Sequence, residues 1–383
     1  MPKPLHVALI GQKFMGRAHS NAYSQVGHFF DLPFEPVRHL IAGRNGKELA
    51  EFAGKWGWNN TTTDWRTIAD DPDVGLVDVA TPNHVHADQA IAMLQAGKHV
   101  ACEKPLAGTL DDARRMRDVA RKVKRKAKTF VWYNYRRCPA VAFARKLVEE
   151  GRIGRVYHVR ASYLQSWGGP DTPLLWRFEK GAAGSGAHGD LNAHIIDMAR
   201  FVLGEEVAEI NGAISKTFIP MRTIPGKKAK GKSTVDDAVL FLATFKSGAV
   251  GSFEASRLAA PHQNANSIEI NGEDGSLRFD FEDMNVLQFH DAKGGGREGG
   301  WRRIMCTSAG NHPYAANWWP DAHVLGYEHG FINMLADVLR VLGGEEPEVP
   351  LPDFADAYET QRVLEAAMIA AKSRAAVKLS QVK

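Results

Sequence analysis

The sequence predicts two domains: a doubly wound α/β domain built on a parallel sheet, then an α+β domain with a large, open, mostly antiparallel sheet. Three observations carry this. The first third alternates short apolar runs with helical patterns. After about residue 135 the runs lengthen and alternate apolar with polar, as a sheet covered on one face requires. The chain has 383 residues, too many for one compact domain and suited to two. We place the domains at 1–134 and 135–383. A helix over about 354–372 is a candidate to pack back towards the first domain.

The expected strands of the first domain are 7–10, 37–42, 76–80, 99–103 and 130–133. They are short and nearly all apolar, as burial on both faces demands. Helical patterns lie between them, for example 47–56 and 86–96. In the second domain a helix over 141–150 stops at Gly151. Alternating segments follow at 155–165, 207–216, 238–246 and 249–257. Lys246-Ser247-Gly248 reads as a hairpin turn, and Asn271 to Gly275 joins another pair. A helix over 190–202 stops at Gly204. Two more amphipathic helices, near 328–342 and 354–372, close the chain. The basic stretch 226–232 and the glycine-rich stretch 294–300 read as solvated loops, with contact to a substrate or partner subunit left open.

Composition narrows the function. Net charge is +4, with 44% hydrophobic and 24% charged residues, ordinary for a globular protein. The most basic helix, 111–128, keeps one apolar stripe (Met116, Val119, Ala120, Val123), so it reads as an outer helix of the sheet. No nucleic-acid partner is expected. The three cysteines, Cys102, Cys138 and Cys306, form no CxxC pair. An odd, scattered set suits a reducing compartment. No apolar run approaches the roughly eighteen residues of a membrane span, so no membrane partner is expected. We expect a cytoplasmic protein.

The first strand runs into Gly11-Gln12-Lys13-Phe14-Met15-Gly16, and a helix follows. This nearly matches the G-x-G-x-x-G dinucleotide fingerprint. Gly11 would permit the tight turn and Gly16 the close packing of helix on strand. A helix N-terminus would then face a pyrophosphate. Lys13 replaces the middle glycine. The second strand ends Ala42-Gly43-Arg44-Asn45, without the carboxylate that usually holds the ribose 2′-hydroxyl of NAD. Arg44 could pair with a 2′-phosphate or could simply be solvated. With Lys13 nearby, the reading favours NADP over NAD. Thr81-Pro82-Asn83 follows a strand at the carboxyl edge of the sheet, where ligands bind in open α/β folds.

The run His99 to Pro105 ends a buried strand in Glu103-Lys104-Pro105. A poorly hydrated ammonium there is suited to hydrogen bonding or proton exchange. Asp190 and His194 sit four apart in Gly-Asp-Leu-Asn-Ala-His, and helical spacing would put them on one face. Lysine, aspartate and histidine are the groups needed to move a proton off a hydroxyl while a hydride leaves its carbon. An ammonium stabilises the developing alkoxide. Histidine can serve as acid or base. His84 and His86 form an H-x-H pair, but solvated or cofactor-facing roles suffice and we expect no metal. Trp176 and Arg177 could wall a sugar pocket or be a core ring beside a surface charge. Tyr135, Tyr163 and Gln165 are further substrate candidates.

These motifs occur in one order: Gly11…Gly16, Ala80-Thr81-Pro82-Asn83-His84, Glu103-Lys104-Pro105 and Gly189 to His194. In that order they resemble the Gfo/Idh/MocA oxidoreductases, over nearly the whole chain. Phe14 to Ser20, Asn134-Tyr135-Arg136-Arg137, Tyr163-Leu164-Gln165 and Trp176-Arg177-Phe178 are similar to the branch of levoglucosan and inositol dehydrogenases. The resemblance implies an N-terminal Rossmann domain and a C-terminal domain whose open sheet makes a homodimer or homotetramer. It also implies that Lys104 binds the reacting hydroxyl and touches the cofactor, as would Glu103. Thr81-Pro82-Asn83 would lie against the nicotinamide half. The expected reaction is hydride transfer between a hydroxyl carbon of a cyclic polyol (pyranose, anhydrosugar or inositol) and NADP or NAD. The alternatives are a glycoside-cleaving enzyme using transient oxidation, and a non-catalytic cofactor-binding sensor.

Overall fold

The computed structural model describes residues 2–294, 296–309 and 312–383. It divides into two compact units. One comprises 1–137 and 326–358, the other 138–325 and 359–383. The chain therefore returns to the first unit near its end, which a single cut at residue 134 does not describe.

The first unit holds six parallel strands: β1 (Lys3–Ile10), β2 (Phe34–Ala42), β3 (Asn60–Thr62), β4 (Val74–Val79), β5 (His99–Cys102) and β6 (Thr129–Val131). Their order is β3-β2-β1-β4-β5-β6, the doubly wound Rossmann arrangement. The helices are α1 (Phe14–Phe29), α2 (Gly46–Trp56), the short α3 (Thr67–Asp70), α4 (His86–Gln95) and α5 (Leu110–Val123). Central strands are sealed: Val7, Ala8, Leu9, Val77, Val79, Val100 and Ala101 are fully buried. Strand order reverses between β1 and β4, so the loops after these strands diverge and leave a crevice at their carboxyl ends.

The second unit opens with α6 (Pro139–Glu149), β7 (Val156–Leu164), the short α7 (Lys180–Ala183) and α8 (Ala193–Leu203). Then come β8 (Val207–Lys216), β9 (Met221–Thr223), β10 (Lys230–Lys232), β11 (Ala238–Phe245), β12 (Val250–Ser256), β13 (Ala265–Gly272), β14 (Gly275–Asp280), β15 (Val286–Asp291) and β16 (Arg302–Met305). After α9 (Tyr327–Leu342) and α10 (Phe354–Ser373), β17 (Val377–Lys378) completes a nine-stranded sheet of order β16-β15-β14-β13-β7-β12-β11-β8-β17. Only β7 and β12 run parallel; the other neighbours are antiparallel. Helices α6 and α8 pack on one face. The other face carries exposed Ile214, Leu240, Leu242 and Val250.

Two local details differ from the sequence reading. The basic stretch 226–232 is the tip of a hairpin, because β10 pairs with β9. In the glycine-rich stretch, 296–298 form a short helical turn, and Gly295 lies outside the described residues.

Candidate active site

The fingerprint loop leaves β1 through Gly11, whose φ of +121° only glycine adopts without strain. A Cβ there would run into the Ala80 carbonyl oxygen, and a Cβ on Gly16 would run into that of Gly11. Both glycines therefore do what the motif requires: backbone meets backbone. No side chain caps the N-terminus of α1, and the Gln12 amide oxygen is buried without a hydrogen-bond partner. Uncapped N–H groups over a glycine cradle fit a dinucleotide pyrophosphate, so Gly11, Lys13, Phe14, Met15 and Gly16 suit a cofactor-holding loop.

The loop's charges are less available than the sequence suggests. Lys13 Nζ donates to Glu48 Oε2 at 2.6 Å. The Asn45 side chain caps α2, accepting from Glu48 N at 3.3 Å and donating to Glu48 Oε1 at 3.0 Å. Arg44 is exposed beside them.

After β4, Thr81 Oγ1 donates to Gln89 Oε1 at 2.7 Å. His86 is fully buried, with its ring nitrogens 2.8 Å from Thr81 O and 3.2 Å from Pro105 O. Burial holds its pKa below the ordinary value. The ring sits between the Thr81 and Pro105 carbonyls, and with a single N–H it donates to one of them. Pro82 and Asn83 lead into the short turn Asn83–Val85.

Glu103 also points inward. Its Oε1 lies 3.0 Å from His19 Nε2, and its Oε2 accepts the Lys104 backbone N–H at 3.1 Å. The carboxylate thereby supports the neighbouring lysine. Tyr135 is buried in the same unit.

In the second unit, Asp190 lies within a single turn of π-helix, His188–Asn192, that enters α8. The sequence reading expects an ordinary helix here. Two contacts explain the wider turn. Asp236 accepts Gly186 N and His188 N, each at 2.8 Å, and a Cβ on Gly186 would run into the Asp236 carbonyl oxygen. Such turns recur at functional sites. Asp190 Oδ2 accepts from Arg257 Nη2 at 2.9 Å. The buried Arg257 guanidinium also donates to Gly186 O and Arg177 O, both at 3.1 Å. His194 is buried, its ring 5.7 Å from that of Tyr163.

Tyr163 Oη and Gln165 Nε2 converge on Asn264 Oδ1, each at 2.7 Å. Trp167 Nε1 donates to Gln165 Oε1 at 2.6 Å. Trp176 and Arg177 are half-buried, with the guanidinium 4.5 Å from the ring centre. Sequence reasoning missed Arg257, Asp236 and Asn264. The available signal for Arg257 was a lone cation ending an alternating strand.

Lys104 belongs to the first unit, and Asp190 and His194 to the second. In each unit the candidate residues sit among fixed hydrogen bonds: Glu103, His86 and Thr81 around one, Arg257 and Asp236 around the other. A glycine cradle under an uncapped helix N-terminus, at the carboxyl edge of a doubly wound sheet, defines a dinucleotide-binding domain of the Rossmann class.

The chain belongs to the Gfo/Idh/MocA family. Residues 5–131 match the model for the oxidoreductase family, NAD-binding Rossmann fold, and residues 141–278 match that for the GFO/IDH/MocA C-terminal domain. It is 42% identical to levoglucosan dehydrogenase of Pseudarthrobacter phenanthrenivorans over 99% of both chains. A crystal structure of an oxidoreductase domain protein from Kribbella flavida superposes with TM-score 0.94 at 48% identity, covering 99% of this chain and 100% of that one. Levoglucosan dehydrogenase in complex with NADH and levoglucosan gives TM-score 0.92 at 42% identity, covering 98% and 99%. The first domain is an NAD-binding Rossmann domain, and the expected family and fold hold. No helix among the described residues is long and apolar enough to cross a membrane.

Proposed function

We propose that this chain oxidises a secondary hydroxyl of a cyclic sugar or polyol, with an anhydrosugar such as levoglucosan as the first substrate to try. The observation that carries the reading is the presence of Lys104, Asp190 and His194, the first two held by hydrogen bonds, in a chain 42% identical to a levoglucosan dehydrogenase over 99% of both chains. A sensor has no chemical need for such a proton-transfer set.

Bound NAD or NADP supplies the hydride acceptor. Lys104 donates a hydrogen bond to the substrate oxygen and stabilises the negative charge that grows there. His194 takes the hydroxyl proton, and returns it in the reverse direction. Asp190 orients the substrate hydroxyls or the His194 ring, with Arg257 fixing its carboxylate. Tyr163, Gln165, Arg177 and Tyr135 complete the substrate contacts, and Trp176 offers a flat apolar face to the sugar ring. Arg44 gives NADP a route to binding beside NAD.

The open sheet face is the proposed homodimer or homotetramer interface. Ile214 is 59% and Leu242 57% exposed along a groove of about 760 Å³ that also holds Arg160, Glu254 and Glu269. Large apolar patches of this kind are usually covered. The three cysteines are free and buried, which supports a cytoplasmic site of action.

The test is reduced-nicotinamide absorbance with a panel of pyranoses, anhydrosugars and inositols. We expect turnover of at least one, and loss of about 10²-fold or more in Lys104→Ala. Unchanged turnover in that variant overturns the reading. Free sugar released with catalytic amounts of cofactor would instead support glycoside cleavage.

A further inference from the structure

One buried cluster in the first unit takes no part in the mechanism above. Asp78, on β4, is fully buried. A carboxylate so placed is costly unless donors surround it. Tyr23 Oη donates to its Oδ2 at 3.0 Å and Trp132 Nε1 to its Oδ1 at 2.9 Å. His19 Nδ1 lies 2.9 Å from Oδ2, and the other ring nitrogen lies 3.0 Å from Glu103 Oε1. Ionised carboxylates only accept. An imidazole with both nitrogens on carboxylates makes both bonds only when doubly protonated. The Trp132 and Phe331 rings, 4.3 and 5.5 Å from the His19 ring, fix its place. The far oxygen of Glu103 holds the Lys104 amide.

We propose that protonated His19 is a positioning residue for Lys104: anchored on Asp78, it grips Glu103 Oε1, which keeps Glu103 Oε2 on the Lys104 N–H and fixes how the lysine side chain leaves the backbone. This rests on the reading that Lys104 meets the reacting oxygen.

Burial disfavours the imidazolium, but the charges and hydrogen bonds of Asp78 and then Glu103 outweigh it, and His19 is pushed up to about 9. Three neighbours are shifted away from that range. Burial, aided by Asp78, pushes the Tyr23 phenol well up. Burial with Glu103 and Asp78 does the same for the Cys102 thiol. Burial holds His86 below its ordinary value although it feels Glu103. Lys104 follows Glu103 in the chain. Of the elements against His19, β4 brings Asp78, the end of β5 brings Cys102 and Glu103, α1 brings Tyr23, and Trp132 and α9's Phe331 bring uncharged rings. When His19 loses a proton it keeps one N–H, so one of its two carboxylate bonds is lost and the bridge from Asp78 to Glu103 is broken.

The experiment compares pH profiles of kcat for wild type, His19→Gln and Tyr23→Phe, with the cofactor KM at each pH. We expect a wild-type alkaline limb near pH 9. His19→Gln should lower kcat on the order of 10–100-fold, the cost of misaligning a catalytic group. It should abolish that limb and leave the KM for the oxidised cofactor within about twofold. Tyr23→Phe removes one donor from Asp78, so the anion holds the His19 proton harder and the limb moves to higher pH. A His19→Gln enzyme with lower Tm but unchanged kcat and limb overturns the proposal. So does a limb that Tyr23→Phe leaves in place. A measurement without turnover separates this from the function itself. In ¹⁵N-histidine-labelled wild type, one ring should remain doubly protonated at about pH 8, well above the usual histidine range. No such ring overturns the clamp whatever the substrate, whereas full turnover by Lys104→Ala with the ring present overturns only the role of Lys104.

Discussion

Asp78 and Asp190 pose the fold the same problem, and the two units solve it in different ways. Asp78 is sealed inside a parallel sheet, and its donors are a phenol, an indole and an imidazole that must be charged. Asp190 is half-buried at a helix entrance and faces a guanidinium. Arginine stays protonated at any pH a protein survives, whereas histidine does not. The donor at one site thus depends on pH and the donor at the other does not. A titratable clamp suits the lysine side of the chemistry only while the medium stays below its pKa. The permanent clamp keeps the carboxylate side constant.

Breaking the permanent clamp should have the larger effect. Arg257→Met leaves Asp190 without its guanidinium and strips a donor from both Gly186 O and Arg177 O. Removing one partner of such a pair costs about 3 kcal/mol, towards the lower end because Asp190 is partly exposed. Chemical denaturation should show that loss, and kcat should fall about 10²-fold as the π-helical turn relaxes. Arg257→Lys restores the charge but not the fork that spans three acceptors, so it should recover part of the stability and little of kcat. Full recovery by lysine would mean that charge alone matters and would erase the contrast with Asp78.

The titratable clamp should appear in stability as well as rate. The His19 value in the folded protein, about 9, lies above the ordinary 6.5. The folded state therefore binds the proton more tightly than the unfolded chain. The stabilisation is complete below about pH 6.5 and is lost as pH rises through about 9. Across that window wild-type Tm should fall on the order of 5 °C more than that of His19→Gln. Differential scanning calorimetry at pH 6, 7.5 and 9 measures it. Parallel curves for the two proteins would show that His19 is not charged in the fold.

Why these clamps escaped the sequence follows from separation along the chain. His19 lies 59 residues from Asp78 and 84 from Glu103, and no local pattern joins them. Asp78 did carry a signal, as the lone charge in Val-Gly-Leu-Val-Asp-Val on a strand buried on both faces. Strands and helices were legible because their periodicity is local: helix boundaries such as Pro139–Glu149 and Tyr327–Leu342 fall within two residues of the expected ones. Lys104, Asp190 and His194 could be proposed because their neighbours in sequence form motifs. The π-helical turn was not, because residues four apart look alike in either helix. His86 and Glu103 are ambiguous in the sequence for one reason. A polar residue beside a cofactor motif can face the cofactor or brace the loop from behind, and only its burial decides which.

The smallest expected effect tests whether the contrast between fixed and titratable charge extends to the fingerprint loop. Lys13 and Glu48 form an exposed pair whose hydrogen bond and charge hold the Glu48 carboxyl below its usual value. Exposed pairs contribute little to stability, so Glu48→Gln should leave Tm unchanged. Its consequence should lie in coenzyme choice. Releasing Lys13 places a free ammonium in the same loop region as Arg44, and removing the carboxylate takes away a repulsion felt by a 2′-phosphate. The ratio of kcat/KM for NADP over NAD should then rise about 3- to 10-fold at low salt and less at high salt. If the ratio does not change, Glu48 does not restrain Lys13 and the arginine alone sets the preference.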